Sequence, residues 1–214
     1  MKKICLFISA ALLVFAAQRA SAQDLPYYSP NPAIFQIRYG MGFPLNGLKE
    51  NVSNTSYNGW DASLMFPIGQ HFSLGLAVEY QDFYQKYPRA TYEYGDKSSN
   101  ISVVVSNSIQ NIPVLVKGTY KFLSPQAAIQ PYIGAGVGLN AVSYRQYLGE
   151  FSSVDQNSGK LAVNGEAGIL IPVTRNHHFG IDLAAEYNYL PYNELGVNNL
   201  NFWGVKAGVY VPLR

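Results

Sequence analysis

A single cysteine, Cys5, stands in the whole 214-residue sequence, and it lies in the N-terminal segment. That excludes a disulfide framework and a cysteine-built metal site. Histidine is nearly as scarce, with His71, His177 and His178 the whole complement. Charge is sparse too: Asp, Glu, Lys and Arg make up 13% of the chain, and no basic run suggests a nucleic-acid partner. After the first twenty residues no apolar run approaches the roughly twenty residues of a spanning helix. If the remaining chain enters a membrane, it must do so as a closed barrel, because only helices and closed barrels satisfy their backbone groups in lipid.

The N-terminus reads as an export signal. Lys2 and Lys3 precede an apolar run from Ile4 to Ala17, followed by "RASAQ" with Ala20 and Ala22 at small-residue positions. Residues 1–22 are expected to be a signal peptide that is removed, leaving 23–214 as one barrel domain. Cys5 is too near the lysines for a lipoprotein cleavage box. Removal takes Lys2, Lys3 and Arg19 with it, so the 15 basic residues fall to 12 against 13 acidic ones, a net charge near −1.

What the sequence has in quantity is alternation. In "FGIDLAAEYNY", residues 179–189, every second residue is apolar, from Phe179 and Ile181 to Tyr187 and Tyr189, and the intervening set contains Asp182 and Glu186. Period two places the two sets on opposite faces of a strand, whereas a helix would scatter the apolar residues around its circumference. Seven further segments behave alike: "AIFQIRYGMGF", "GWDASLMFP", "FSLGLAVEYQDFY", "IPVLVKGTYKFL", "QPYIGAGVGLNAVSY", "KLAVNGEAGILIPV" and "NFWGVKAGVYVPL". The links "PIGQH", "SPQAAIQ" and "TRNHH" are short. The stretches 44–58, 85–108, 145–159 and 190–199 are long and polar. The predicted fold is all-β: an eight-stranded antiparallel up-and-down transmembrane β-barrel, with short periplasmic turns and long extracellular loops.

Aromatic placement supports a bilayer. Phe35, Phe66, Phe72, Tyr120, Phe122 and Phe179 fall at the short-turn end of the apolar face, and Phe43, Trp60, Tyr80, Tyr187, Tyr189 and Trp203 at the long-loop end. Two such belts match the two interfaces of a membrane. Pro113 falls early in its strand, where it removes a ladder donor, and is expected near the outer rim. "SLMFPIGQHFSLGLAVEYQ" and "GILIPVTRNHHFGIDLAAEYN" echo one another as hairpins, through duplication or through one physical solution reached twice.

With the apolar face to lipid, nine charges point inward: Arg38, Asp61, Glu79, Lys117, Lys121, Glu166, Asp182, Glu186 and Lys206. An eight-stranded barrel is wide enough only for its own side chains. Unpaired charges there would be costly, so these residues are expected to pair as a structural plug, with permeation or binding the rival role. Alternate glycines in "GAGVG" leave room for bulky neighbours such as Tyr132 and the lysines. No helix follows them, which argues against a phosphate cradle. The histidines fall in the short turns, away from the outer leaflet where a lipid-modifying enzyme would need one. No enzyme, cofactor or metal is therefore expected.

The segments "IPVLVKGTYKF" and "PYIGAGVGLN", the "SAQ" signal end and the apolar last strand resemble the small outer-membrane β-barrel family of the Bacteroidota, often labelled porin-like. The architecture is similar to the OmpA transmembrane domain and OmpX. The resemblance implies a non-enzymatic protein of the Gram-negative outer membrane, acting in envelope integrity or surface contacts, with a channel for small or hydrophobic solutes as the alternative. It implies outer-membrane lipids, lipopolysaccharide and the barrel assembly machinery as partners. "KAGVYVPLR" carries Lys206, Gly208, Val211 and Leu213 of the family's terminal assembly signal but lacks its terminal aromatic.

Overall fold

The computed structural model describes residues 32–94, 99–124, 127–149, 151–173, 179–194 and 197–213. The expected signal peptide, His177 and His178 lie outside these residues.

Eight strands close a barrel: β1 (Ala33–Pro44), β2 (Ser56–Ile68), β3 (Phe72–Lys86), β6 (Val105–Lys121), β7 (Gln130–Leu148), β8 (Phe151–Pro172), β9 (Gly180–Tyr189) and β12 (Phe202–Leu213). All neighbours pair antiparallel, and β1 closes the ring against β12 from Ala33↔Leu213 to Pro44↔Phe202. Between these strands lie one helix, α1 (Asn46–Asn51), and two small hairpins, β4–β5 (Ala90–Tyr94, Ser99–Val103) and β10–β11 (Asn193–Glu194, Val197–Asn198).

The barrel is inverted in polarity. Its outer wall carries Ile37, Leu76, Val116, Val137, Leu139 and Val205, with Leu139 68% exposed, while Arg38, Asp61, Lys117 and Asp182 are each at most 1% exposed inside. Water would penalise that arrangement, and a bilayer favours it. The expected belts appear at the two ends. Trp60 stacks on Tyr80 with ring centroids 6.1 Å apart, and Tyr187 leans on Trp203 at 5.1 Å. At the other end Tyr120 meets Phe122 edge-on at 5.5 Å.

Two of the expected long loops are largely strand instead. The stretch 145–159 is a continuation of β7 and β8 around a tight turn in which Gly149 takes a φ of 67°, a conformation that glycine adopts without steric cost. The stretch 85–108 contains the β4–β5 hairpin and the first residues of β6. Serine, asparagine and glutamine occupy both alternating sets there, so the period-two signal vanishes although the backbone stays paired. Pro113 lies midway along β6, opposite Asn140 of β7, with eight residues of strand before it. The β3–β6 ladder passes from Val78↔Val114 to Gln81↔Asn111 and skips the proline, as its missing N–H requires.

The wall is therefore uneven. β1 and β12 have 12 residues and β9 has 10, against 17, 19 and 22 in β6, β7 and β8. At about 3.3 Å per residue and a tilt near 40°, twelve residues rise about 30 Å, one hydrocarbon thickness, and the longest strands stand some 20 Å taller.

Candidate functional site

The inward set converges on Arg38 of β1. Its Nε and Nη2 donate to the two carboxylate oxygens of Asp61 on β2, at 2.8 and 2.6 Å, the bidentate geometry a guanidinium favours. Nη1 donates to Asp182 of β9 at 3.1 Å and to the Tyr132 hydroxyl of β7 at 3.0 Å, and Nη2 also reaches Glu166 of β8 at 3.2 Å. Lys117 of β6 holds the same Glu166 oxygen at 2.7 Å. Lys206 of β12 holds Glu186 of β9 at 2.6 Å and Glu79 of β3 at 3.2 Å, and stands 4.0 Å from Asp61. Eight of the nine predicted charges thus form one connected network.

Lys121 is the exception. It lies below the network at the short-turn end, beside Thr119, Tyr132 and Leu170 in a small recess. Among the described residues it makes no ion pair. Lys121 is only part-buried there.

Three cations face five carboxylates in the network, and neutral donors serve the remaining oxygens. The Tyr132 hydroxyl donates to Asp182 at 2.9 Å, Gln36 to Asp182 at 3.2 Å, Asn164 to Glu79 at 3.0 Å and Asn188 to Glu186 at 2.8 Å. Reading the charges alone missed these four, although each shares the inward parity of its strand. Glycine spacing also served different residues from those expected. A side-chain carbon at Gly134 would crowd Glu166, one at Gly136 would crowd Asn164, and it is Gly168 of β8 that yields to Tyr132. The hairpin echo has a counterpart in the network, since its two matched glutamates, Glu79 and Glu186, grip the same Lys206.

Above the charges the mouth is closed by chain. Leu48 and Val52 of α1, with Leu190, Tyr192, Val197 and Leu200, share one apolar cluster with Phe83, Ile109, Val142, Tyr144 and Phe202 of the wall. The end of α1 is tied to the tall side: the Tyr87 hydroxyl donates to Asn51 O at 2.7 Å and Asn107 Nδ2 to the same oxygen at 3.3 Å. Leu45 N donates to Asn201 O at 3.0 Å, and Leu200 N to Leu190 O at 2.9 Å. Helix and hairpin touch so closely that a side-chain carbon on Gly47 would stand 1.7 Å from Asn198 O. G47V is expected to lift α1 off the hairpin, giving at least tenfold faster amide exchange in residues 46–52 while the barrel strands keep their protection. Unchanged exchange would show that the cap is not seated this way.

His71, the one histidine among the described residues, sits in the β2–β3 turn. Its ring Nδ1 lies 2.9 Å from Lys121 O, and its own carbonyl accepts from Lys121 N at 2.8 Å. It braces the short-turn end. Among the described residues no group of histidine, aspartate and glutamate is arranged to hold a metal ion.

A family model described as surface antigen matches residues 47–187. No curated protein matches the chain. Among solved structures, Neisserial surface protein A is similar at 17% identity and a TM-score of 0.59, covering 85% of this chain and 97% of its own. The N-terminal β-barrel domain of Pseudomonas aeruginosa OprF follows at 12% identity and a TM-score of 0.48, covering 86% and 98%. E. coli outer membrane protein W, at 11% identity and a TM-score of 0.45, covers 87% and 100%. At these identities the likeness is one of fold.

Proposed function

The chain belongs to the surface antigen family, and from that premise and its inverted polarity we propose that it is an integral outer-membrane protein that anchors an exposed surface. On this reading the barrel neither conducts nor catalyses, and the part above the membrane makes contacts at the cell surface or supports envelope integrity. Outer-leaflet lipid, lipopolysaccharide and the barrel assembly machinery are its expected partners. The strands "IPVLVKGTYKF" and "PYIGAGVGLN" support assigning it to the small barrels of the Bacteroidota.

The observation that carries the reading is the sealed lumen. Arg38, Asp61, Lys117, Asp182 and Glu186 are each at most 1% exposed, with the apolar cap above them. A conducting path must keep charged walls wet. The brace formed by His71 at the end opposite the long connections supports a non-enzymatic role.

Planar-bilayer recording tests this. Refolded wild-type protein is expected to be silent, with leak appearing in Lys117→Ala and Glu186→Ala as the network opens. Steady wild-type conductance whose size or selectivity the same variants alter would replace this reading with a channel for small or hydrophobic solutes.

A further inference from the structure

At the short-turn end the lumen finishes in a recess whose donors the charge network does not use. Ser73 of β3 and Thr119 of β6 are direct cross-strand partners, so their side chains stand next to one another on the inner face. Lys121 comes two residues further along β6 and shares that face. The bond from its backbone N–H to His71 O carries the β3–β6 pairing on to its level. All three residues line the recess. Thr119 turns its methyl to Gly134 of β7. Ser73 is 2% exposed and Thr119 8%, and among the described residues neither hydroxyl has a hydrogen-bond partner.

The other walls offer no charge. Gln36 and Tyr132 join the recess to the network, and their polar atoms are already spent. Gln36 donates to Asp182 and accepts from Ser63, while the Tyr132 hydroxyl donates to Asp182 and accepts from Arg38. Ile34, Met65 and Leu170 add apolar surface. What remains is an ammonium and two hydroxyls that rotate freely, three groups able to donate into one space. That space holds about one water molecule.

A confined ammonium gains from a negative partner, and one lysine balances one charge. Sulfate and phosphate are too large for the space. A halide is a single atom of single charge, weakly hydrated, and compatible with carbon neighbours. It is slightly larger than water, a difference that the flexible stem of Lys121 absorbs. We infer that Ser73, Thr119 and Lys121 form a binding site for one halide ion, which ties the end of β6 to β3 beside the His71 turn. The site goes beyond the surface-anchor reading and does not depend on it, since it lies at the end opposite the long connections and needs no conducting path.

The test uses the full mature chain, isotope-labelled and refolded into nanodiscs of zwitterionic lipid. Sodium bromide is titrated in exchange for sodium gluconate, whose anion is too large to enter, at constant sodium concentration. The amide signals of Ser73, Thr119 and Lys121 are expected to shift along a saturable curve as bromide replaces gluconate. Lys121→Gln should weaken the affinity at least tenfold. Thr119→Val, which keeps the shape and removes the hydroxyl, should weaken it at least threefold. Lys121→Arg, which keeps the charge, should retain a saturable response and serves where the glutamine variant does not refold. Shifts that rise linearly without saturating, a response unchanged in Lys121→Gln, or saturation centred on other residues would each overturn the inference.

Discussion

Arg38→Leu is expected to lower the unfolding free energy of the refolded barrel by about 3–5 kcal/mol, the cost of leaving buried carboxylates without their cation. The substitution strips four partners at once, since Asp61, Asp182, Glu166 and Tyr132 all bond the guanidinium. Lys117 still holds Glu166 and Lys206 still stands 4.0 Å from Asp61. Asp182 keeps only neutral donors, Gln36 and Tyr132. The loss should therefore be partly recovered in Arg38→Leu/Asp182→Asn, where the most stranded carboxylate is neutralised as well. Denaturant titration in lipid vesicles, followed by tryptophan emission from Trp60 and Trp203, measures both. A single variant within about 1 kcal/mol of wild type would mean that the network adds nothing to stability.

The second large effect lies one residue from a charge the barrel welcomes. Val116 is half exposed on the lipid face of β6, between Tyr120 and Ile112, and Lys117 beside it is sealed inside. Val116→Arg is expected to cost about 2–4 kcal/mol in vesicles, because an arginine near the bilayer midplane must distort the membrane or reach for an interface. In detergent micelles, which deform around a charge more readily, the cost should shrink. Equal stability of variant and wild type in vesicles would show that this face does not meet hydrocarbon.

These two residues also show what was legible from the sequence. Wherever one face of a strand meets lipid, period two is strict, so both the eight strands and the inward charges could be read directly. Partners could not. Nothing local links Lys117 to Glu166, or Glu79 and Glu186 to Lys206, because these contacts cross the lumen and depend on the shear of the closed sheet. The cap was hidden for a different reason. Leu48, Val52, Val197 and Leu200 are apolar residues scattered through polar segments, with no periodicity to mark them. The far ends of β7 and β8, residues 145–148 and 151–159, were lost where polar residues occupy both alternating sets.

The network has a consequence for assembly. Arg38 comes from β1, Asp61 from β2, Glu79 from β3, Lys117 from β6, Tyr132 from β7, Glu166 from β8, Asp182 and Glu186 from β9, and Lys206 from β12. Every staves-and-hoop member of the ring contributes at least one group. A sheet that has not yet closed, or that has closed in a slipped register, leaves some of these groups without partners and must keep its interior hydrated. Ring closure and charge neutralisation are thus a single event, completed by the meeting of the first and last strands, and the lumen acts as a checksum on the finished barrel.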